Sequence, residues 1–144
     1  MPTREEVMSA LFARLQDIPG IVTTSRRMTL PGAVAPLDQP RLMLWEQPEI
    51  ARNMTGLPDL RVWEAWVVIV FTNQDQDVAG ATIVNPMVEA VEAALAVDDF
   101  AHNTCTLGGL VHYARIEGIV VKETGDTDSN GLGGAVIPIK IMPP

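Results

Sequence analysis

Residues 135–141 read Ala-Val-Ile-Pro-Ile-Lys-Ile, which sets Ile137, Ile139 and Ile141 on one face and Val136, Pro138 and Lys140 on the other. A period of two is the spacing of a β-strand, and an all-isoleucine face requires a cover. A second strand-like run, Leu110 to Glu123, lies upstream, and the polar loop Thr124 to Gly134 joins the two. That loop is rich in turn formers, so Ala135–Met142 is predicted to pair antiparallel with part of Leu110–Glu123. Pro138 has no N–H to give, so its strand is expected at a sheet edge or bulged at that point. A chain closing this way is expected to complete a sheet and keep no tail for regulation or targeting.

The rest of the chain supplies the other elements. Thr3-Arg4-Glu5-Glu6 has capping-box spacing, and Val7, Met8, Leu11, Phe12 and Leu15 follow at helical intervals until Pro19-Gly20. Ile21 to Leu30 is predicted as a strand, Pro31 to Pro40 as a loop and Arg41 to Glu46 as a short strand. Pro48 to Asp59 reads as a long excursion. Val62 to Thr72 alternates at first and then turns apolar on both faces, as a central strand does. Asn73 to Asp77 is the turn after it. A second helix is predicted over Thr82 to Val97, with Val84, Val88, Val91 and Leu95 on one stripe. Asn85-Pro86 reads there as N-cap and first-turn proline. The order is helix, three strands, helix, two strands. It predicts one α+β domain over residues 1–144, a mainly antiparallel sheet with two helices packed against it.

Composition narrows the function. The chain is 144 residues long and 47% hydrophobic, with 19% charged residues against a usual value of about 25%. Apolar surface reserved for partners would account for that surplus. The net charge of −8 disfavours nucleic-acid binding, which draws on counterion release by cations. The single Cys105 excludes a disulfide framework and a paired-cysteine metal site. Met-Pro-Thr-Arg-Glu-Glu does not resemble a signal peptide, and no apolar run nears the ~20 residues of a membrane span. A soluble protein of a reducing compartment is expected, without membrane partner, cofactor or metal.

The candidate chemistry is thin. Asp126-Thr-Asp-Ser-Asn-Gly131 matches the first half of a calcium loop, but the position for the bidentate glutamate holds Ile137. A solvated loop is the expected reading. Gly131-Leu-Gly-Gly134 feeds a strand, whereas a phosphate cradle feeds a helix. His102, Cys105 and His112 could form a thiol–imidazole pair, with Asp98 and Asp99 nearby in sequence, yet their spacing matches no family-specific catalytic arrangement. A non-enzymatic role is expected. Arg26-Arg27, read within a strand, points to both faces, so one arginine meets either a carboxylate of its own chain or a neighbouring subunit. Trp45, Trp63 and Trp66 lie on adjacent strands. Opposite parity of Trp63 and Trp66 takes at least one ring off the core face. In the excursion, Ile50, Met54 and Leu57 are apolar amid Glu49, Arg52 and Asp59, a mixture expected to be mobile alone and to pack on a partner.

The order and spacing of these pieces resemble the tail terminator proteins of long-tailed bacteriophages. The likeness runs from the opening helix ending in Pro-Gly through Val22-Thr-Thr-Ser-Arg-Arg27 and Gln39-Pro-Arg-Leu42. It continues over Val62–Thr72, the alanine-rich acidic helix, Thr106-Leu-Gly-Gly-Leu-Val111, Arg115-Ile-Glu-Gly118 and Val136-Ile-Pro-Ile-Lys-Ile141. The resemblance implies a structural virion protein, assembled in the host bacterial cytoplasm and located at the head–tail junction. It implies a homo-oligomeric ring, commonly a hexamer, that caps the tail tube, ends its polymerisation and offers a head–tail joining surface. Its partners would be itself, the major tail tube protein and a head-completion or connector protein, with DNA passing through unbound. On that expectation Arg26, Arg27, Trp45, Ile50, Arg52, Met54, Leu57 and Trp63 are subunit-interface candidates. Asp75, Asp77, Asp126 and Asp128, on loops beyond the strands, are channel-lining candidates. Another head–tail connector or adaptor, a Cys/His-dependent hydrolase and a small binding module stay open as alternatives.

Overall fold

A computed structural model describes residues 1–53 and 55–144; the interface candidate Met54 lies outside the described residues. The fold is α+β, with two helices and a mostly antiparallel sheet. Its elements in chain order are α1 (Arg4–Leu15), β1 (Thr23–Ser25), β2 (Arg41–Glu46), β3 (Ile50–Arg52), β4 (Leu60–Thr72), α2 (Ala81–Ala94), β5 (Tyr113–Ile116), β6 (Val121–Glu123) and β7 (Leu132–Met142). Two short 3-10 turns lie between β1 and β2. The sheet order is β1-β2-β4-β7-β5, with β6 also on β7 and β3 on β4. Only β1 and β2 are parallel among these pairs.

The long apolar strands hold the centre. β4 and β7 pair antiparallel from Trp63 opposite Ile141 to Thr72 opposite Leu132. Odd-numbered residues of both strands (Trp63, Ala65, Val67, Ile69 and Phe71; Ala135, Ile137, Ile139 and Ile141) face the helices and are buried. Helix α1 begins with the expected capping box: Glu6 N–H donates to Thr3 Oγ1 at 3.1 Å, and Thr3 N–H to Glu6 Oε2 at 2.7 Å. It buries Val7, Met8, Leu11 and Leu15, and α2 adds Val84, Met87, Val88 and Val91. The other sheet face is partly covered by the chain between β1 and β2, where Met28 and Val34 pack on Met43, Val68 and Val70.

The expected hairpin partners meet, but differently in detail. The run Leu110–Glu123 splits into β5 and β6, both antiparallel to β7. Between them the ladder opens at Pro138, whose carbonyl accepts from Glu117 N–H at 3.2 Å. A residue's N–H and C=O point to the same side of its strand, so the missing donor of Pro138 faces this gap and leaves the β4 ladder intact. The proline therefore sits in a central strand, and the interruption falls on its neighbour. Gly118 spans the gap at φ +124°, where an added Cβ would stand 3.0 Å from the Pro138 ring.

Three further boundaries move. The strand predicted over Ile21–Leu30 keeps only Thr23–Ser25, because the Ser25 hydroxyl accepts from Arg27 N–H at 2.9 Å and turns the chain across the helix-free face. Helix α2 starts at Ala81 rather than at Asn85-Pro86. Gly80 N–H donates to Asp126 Oδ1 at 2.9 Å, anchoring that first turn, and Pro86 in the second turn removes only the bond that would reach Thr82. The excursion Pro48–Asp59 contributes β3, paired with Leu60–Val62 of β4, so it forms part of a hairpin arm.

Gly134 tests the central ladder, since an added Cβ would lie 2.0 Å from the Ile69 carbonyl oxygen. Gly134→Ala is expected to lower stability by at least the ~1–3 kcal/mol typical of overpacking. Gly32→Ala, which meets nothing within 4 Å, should be close to neutral; urea unfolding midpoints measure both.

Candidate functional site

The four candidate aspartates converge at the end where β4 leaves the sheet and β7 enters it. Loops 73–79 and 125–131 together line a cleft of about 790 Å3 that takes in Asp75, Asp77, Asp126 and Asp128. Backbone bonds build it: Asn73 N–H donates to the Gly131 carbonyl at 2.8 Å. Three of the carboxylates also hold the loops. Asp126 accepts from Gly80 N–H, Asp75 from Asp77 N–H at 3.0 Å, and Asp128 from the N–H groups of Asn130 at 3.0 Å and Leu132 at 2.9 Å. Among the described residues Asp77 makes no side-chain hydrogen bond, and none of the four aspartates is in an ion pair. No group of three or more His, Cys, Asp and Glu among the described residues could hold a metal ion.

The interface candidates separate into two groups. Trp63 is 4% exposed, its ring lies in the main core and the Arg4 guanidinium sits 5.3 Å from its centroid. Odd parity on β4 sends it under the helices, so the expectation of an interface role is corrected for this residue. Arg26 lies just beyond β1 and pairs within its own chain, binding Glu5 of α1 and Glu46 of β2, the latter at 3.0 Å. These contacts hold the guanidinium above its usual range and the Glu5 carboxyl below its own. The expected partner on an adjacent subunit is therefore replaced by a clamp between α1 and the sheet. Exposed Arg27 forms no ion pair among the described residues.

Trp45, Ile50, Arg52 and Leu57 remain at the surface. Trp45 is 44% exposed on the helix-free face and packs edge-on against Trp66, with centroids 5.6 Å apart. The Trp66 indole N–H donates to Glu64 at 3.0 Å. Beyond them projects the arm, whose Ile50, Leu57 and Leu60 are exposed. Arg4 grips its base through Glu49 at 2.6 Å.

The thiol and imidazoles do not form a dyad. Buried Cys105 lies 4.0 Å from the Arg14 guanidinium, while exposed His102 bonds Asp99 at 2.8 Å. The residue whose role sequence reasoning missed here is Asp98. Its carboxylate accepts from Gly108 N–H at 3.0 Å, from Thr106 N–H at 2.7 Å and Thr106 Oγ1 at 2.8 Å, and from Arg14 at 3.2 Å. An aspartate eight residues ahead of Thr-Leu-Gly-Gly was the available signal, since such a loop exposes backbone donors.

A scan against protein-family models gives no match, and a search of curated proteins gives none.

Two tests follow from these contacts. The backbone N–H groups of Gly108 and Thr106 hold the Asp98 carboxyl far below its ordinary value of about 3.9. A depressed folded pKa means stabilisation that is complete above the unfolded pKa and is lost as pH falls toward the folded one. Asp98→Ala should therefore melt well below the wild type at pH 7, and the gap should narrow from about pH 4 downward. Thermal melts across that range measure it. Arg26→Glu would set a third carboxylate beside Glu5 and Glu46, and is expected to lower the chain's melting temperature by a few degrees, roughly 1 kcal/mol.

Proposed function

We propose that this chain is a structural phage-tail subunit of tail-terminator type, which forms a ring on the tail tube, stops its growth and presents its other face to the head connector. The observation that carries this reading is the polarity of the subunit along β4. Four carboxylates, free of ion pairs among the described residues, gather at one end of the strand, and an arm with exposed apolar side chains extends from the other. An arm of this kind suits contact between subunits. An acidic loop cluster suits the rim of a channel that DNA crosses without sticking, because like charge repels over about a Debye length, ~8 Å at physiological salt. The order of sequence segments described above supports the same family, and the surplus of apolar residues fits an assembling protein.

The chain should appear as rings in negative-stain electron microscopy, alone or on tubes of its cognate tail tube protein. Added to polymerising tube protein, it should cap tube ends and shorten the length distribution. A chain that remains monomeric and leaves tube length unchanged would overturn the proposal. Asp77→Lys should leave ring formation and melting unaltered while DNA delivery by assembled particles falls at least tenfold. Delivery equal to the wild type would remove the channel role from this end.

A further inference from the structure

The helix-free sheet face holds a small apolar groove, and the arm holds side chains able to fill it. The groove has a volume of about 190 Å3 and is lined by Pro31, Val68, Val70, Val121, Leu132 and Val136, with Glu123 beside them. Pockets for small molecules run to about 300–1,000 Å3, so this one suits aliphatic side chains better than a free ligand. On the arm, Ile50 lies opposite Val62 and Arg52 opposite Leu60. Cross-strand partners point to the same face, which gathers Ile50, Arg52, Leu60 and Val62 into one surface.

We infer that the hairpin arm of one copy seats in the groove of the next, with Ile50 and Leu60 in the apolar floor and Arg52 against Glu123. This inference rests on the ring reading and supplies its contact. Charge complementarity selects the occupant. Arg52 is exposed and outside any ion pair among the described residues, and so is Glu123, with Asp126 and Asp128 just beyond it in the chain. Within one subunit the two cannot meet. Leu60 and Val70 stand about 33 Å apart along one continuous strand, at ~3.3 Å per residue, and the arm continues away from the groove. Knob and hole at opposite ends of a strand make a head-to-tail contact, which closes into a ring when the rotation between subunits allows.

The test uses the full chain in a Cys105→Ser background. Mixed under mild oxidation, Arg52→Cys and Glu123→Cys single variants should give a 52–123 disulfide-linked dimer, and a chain carrying both should give a ladder of higher species. Separately, Arg52→Glu should weaken self-association at least tenfold in sedimentation experiments, and adding Glu123→Arg should restore it, with melting temperatures unchanged throughout. Self-association that is indifferent to Arg52→Glu, with no 52–123 product, would overturn the arm-in-groove contact and leave the ring intact. Crosslinks confined to 52–52 pairs would overturn it in favour of a two-fold contact. A wild-type chain that is monomeric at every concentration and yields no crosslink would overturn both.

Discussion

The antiparallel ladder between β4 and β7 positions everything else. It runs from Trp63 opposite Ile141 to Thr72 opposite Leu132, and its helix-side residues form most of the floor on which α1 and α2 pack. Because strand side chains alternate, fixing this register fixes both faces together, and a slip of one residue would exchange the isoleucines with Val136, Pro138 and Lys140. Glycine enforces that register. Gly133 and Gly134 lie so close to Phe71 and to the Ile69 carbonyl that no side chain fits at either position.

The two faces are treated unequally. The helices and the loop carrying Cys105, Leu107 and Val111 bury most of one face, whereas a strap of loop covers only part of the other, over Met43, Val68 and Val70. What the strap leaves open is the Trp45–Trp66 pair and the groove beside β6. The arm continues this open face, so its apolar side chains and the groove belong to one surface stretched along a single strand. That geometry keeps the arm and the groove apart within one chain.

Periodicity made the long elements readable. The capping box of α1, the apolar second half of β4 and the alternation of β7 each state their structure through side-chain spacing, and each appears where expected. What could not be read were decisions made by distant partners. The Ile21–Leu30 run has strand composition, yet Ser25 turns it toward the far side of the sheet. Pro86 resembles a helix start, but Asp126, distant in sequence, anchors the turn before it. At the candidate site, the loop positions of the four aspartates were legible, but their convergence was not, because it depends on β4 pairing with β7. The fate of Arg26 and Trp63 did not, because parity and salt-bridge partners depend on where each strand begins. The role of Asp98 escaped notice because two of its partners are backbone N–H groups and a third, Arg14, lies 84 residues away in sequence.

The placement of β7 has a consequence for synthesis. An interior position of the sheet is reserved for a strand that leaves the ribosome some sixty residues after β4, the strand it must pair with. Until then β4 presents two apolar faces, with β2 on one edge and nothing on the other. Non-local pairing of this kind is slow, and an open apolar edge is prone to aggregation while it lasts. The sheet therefore closes only after nearly the whole of residues 1–142 has been made, and the aggregation-prone interval lasts until then.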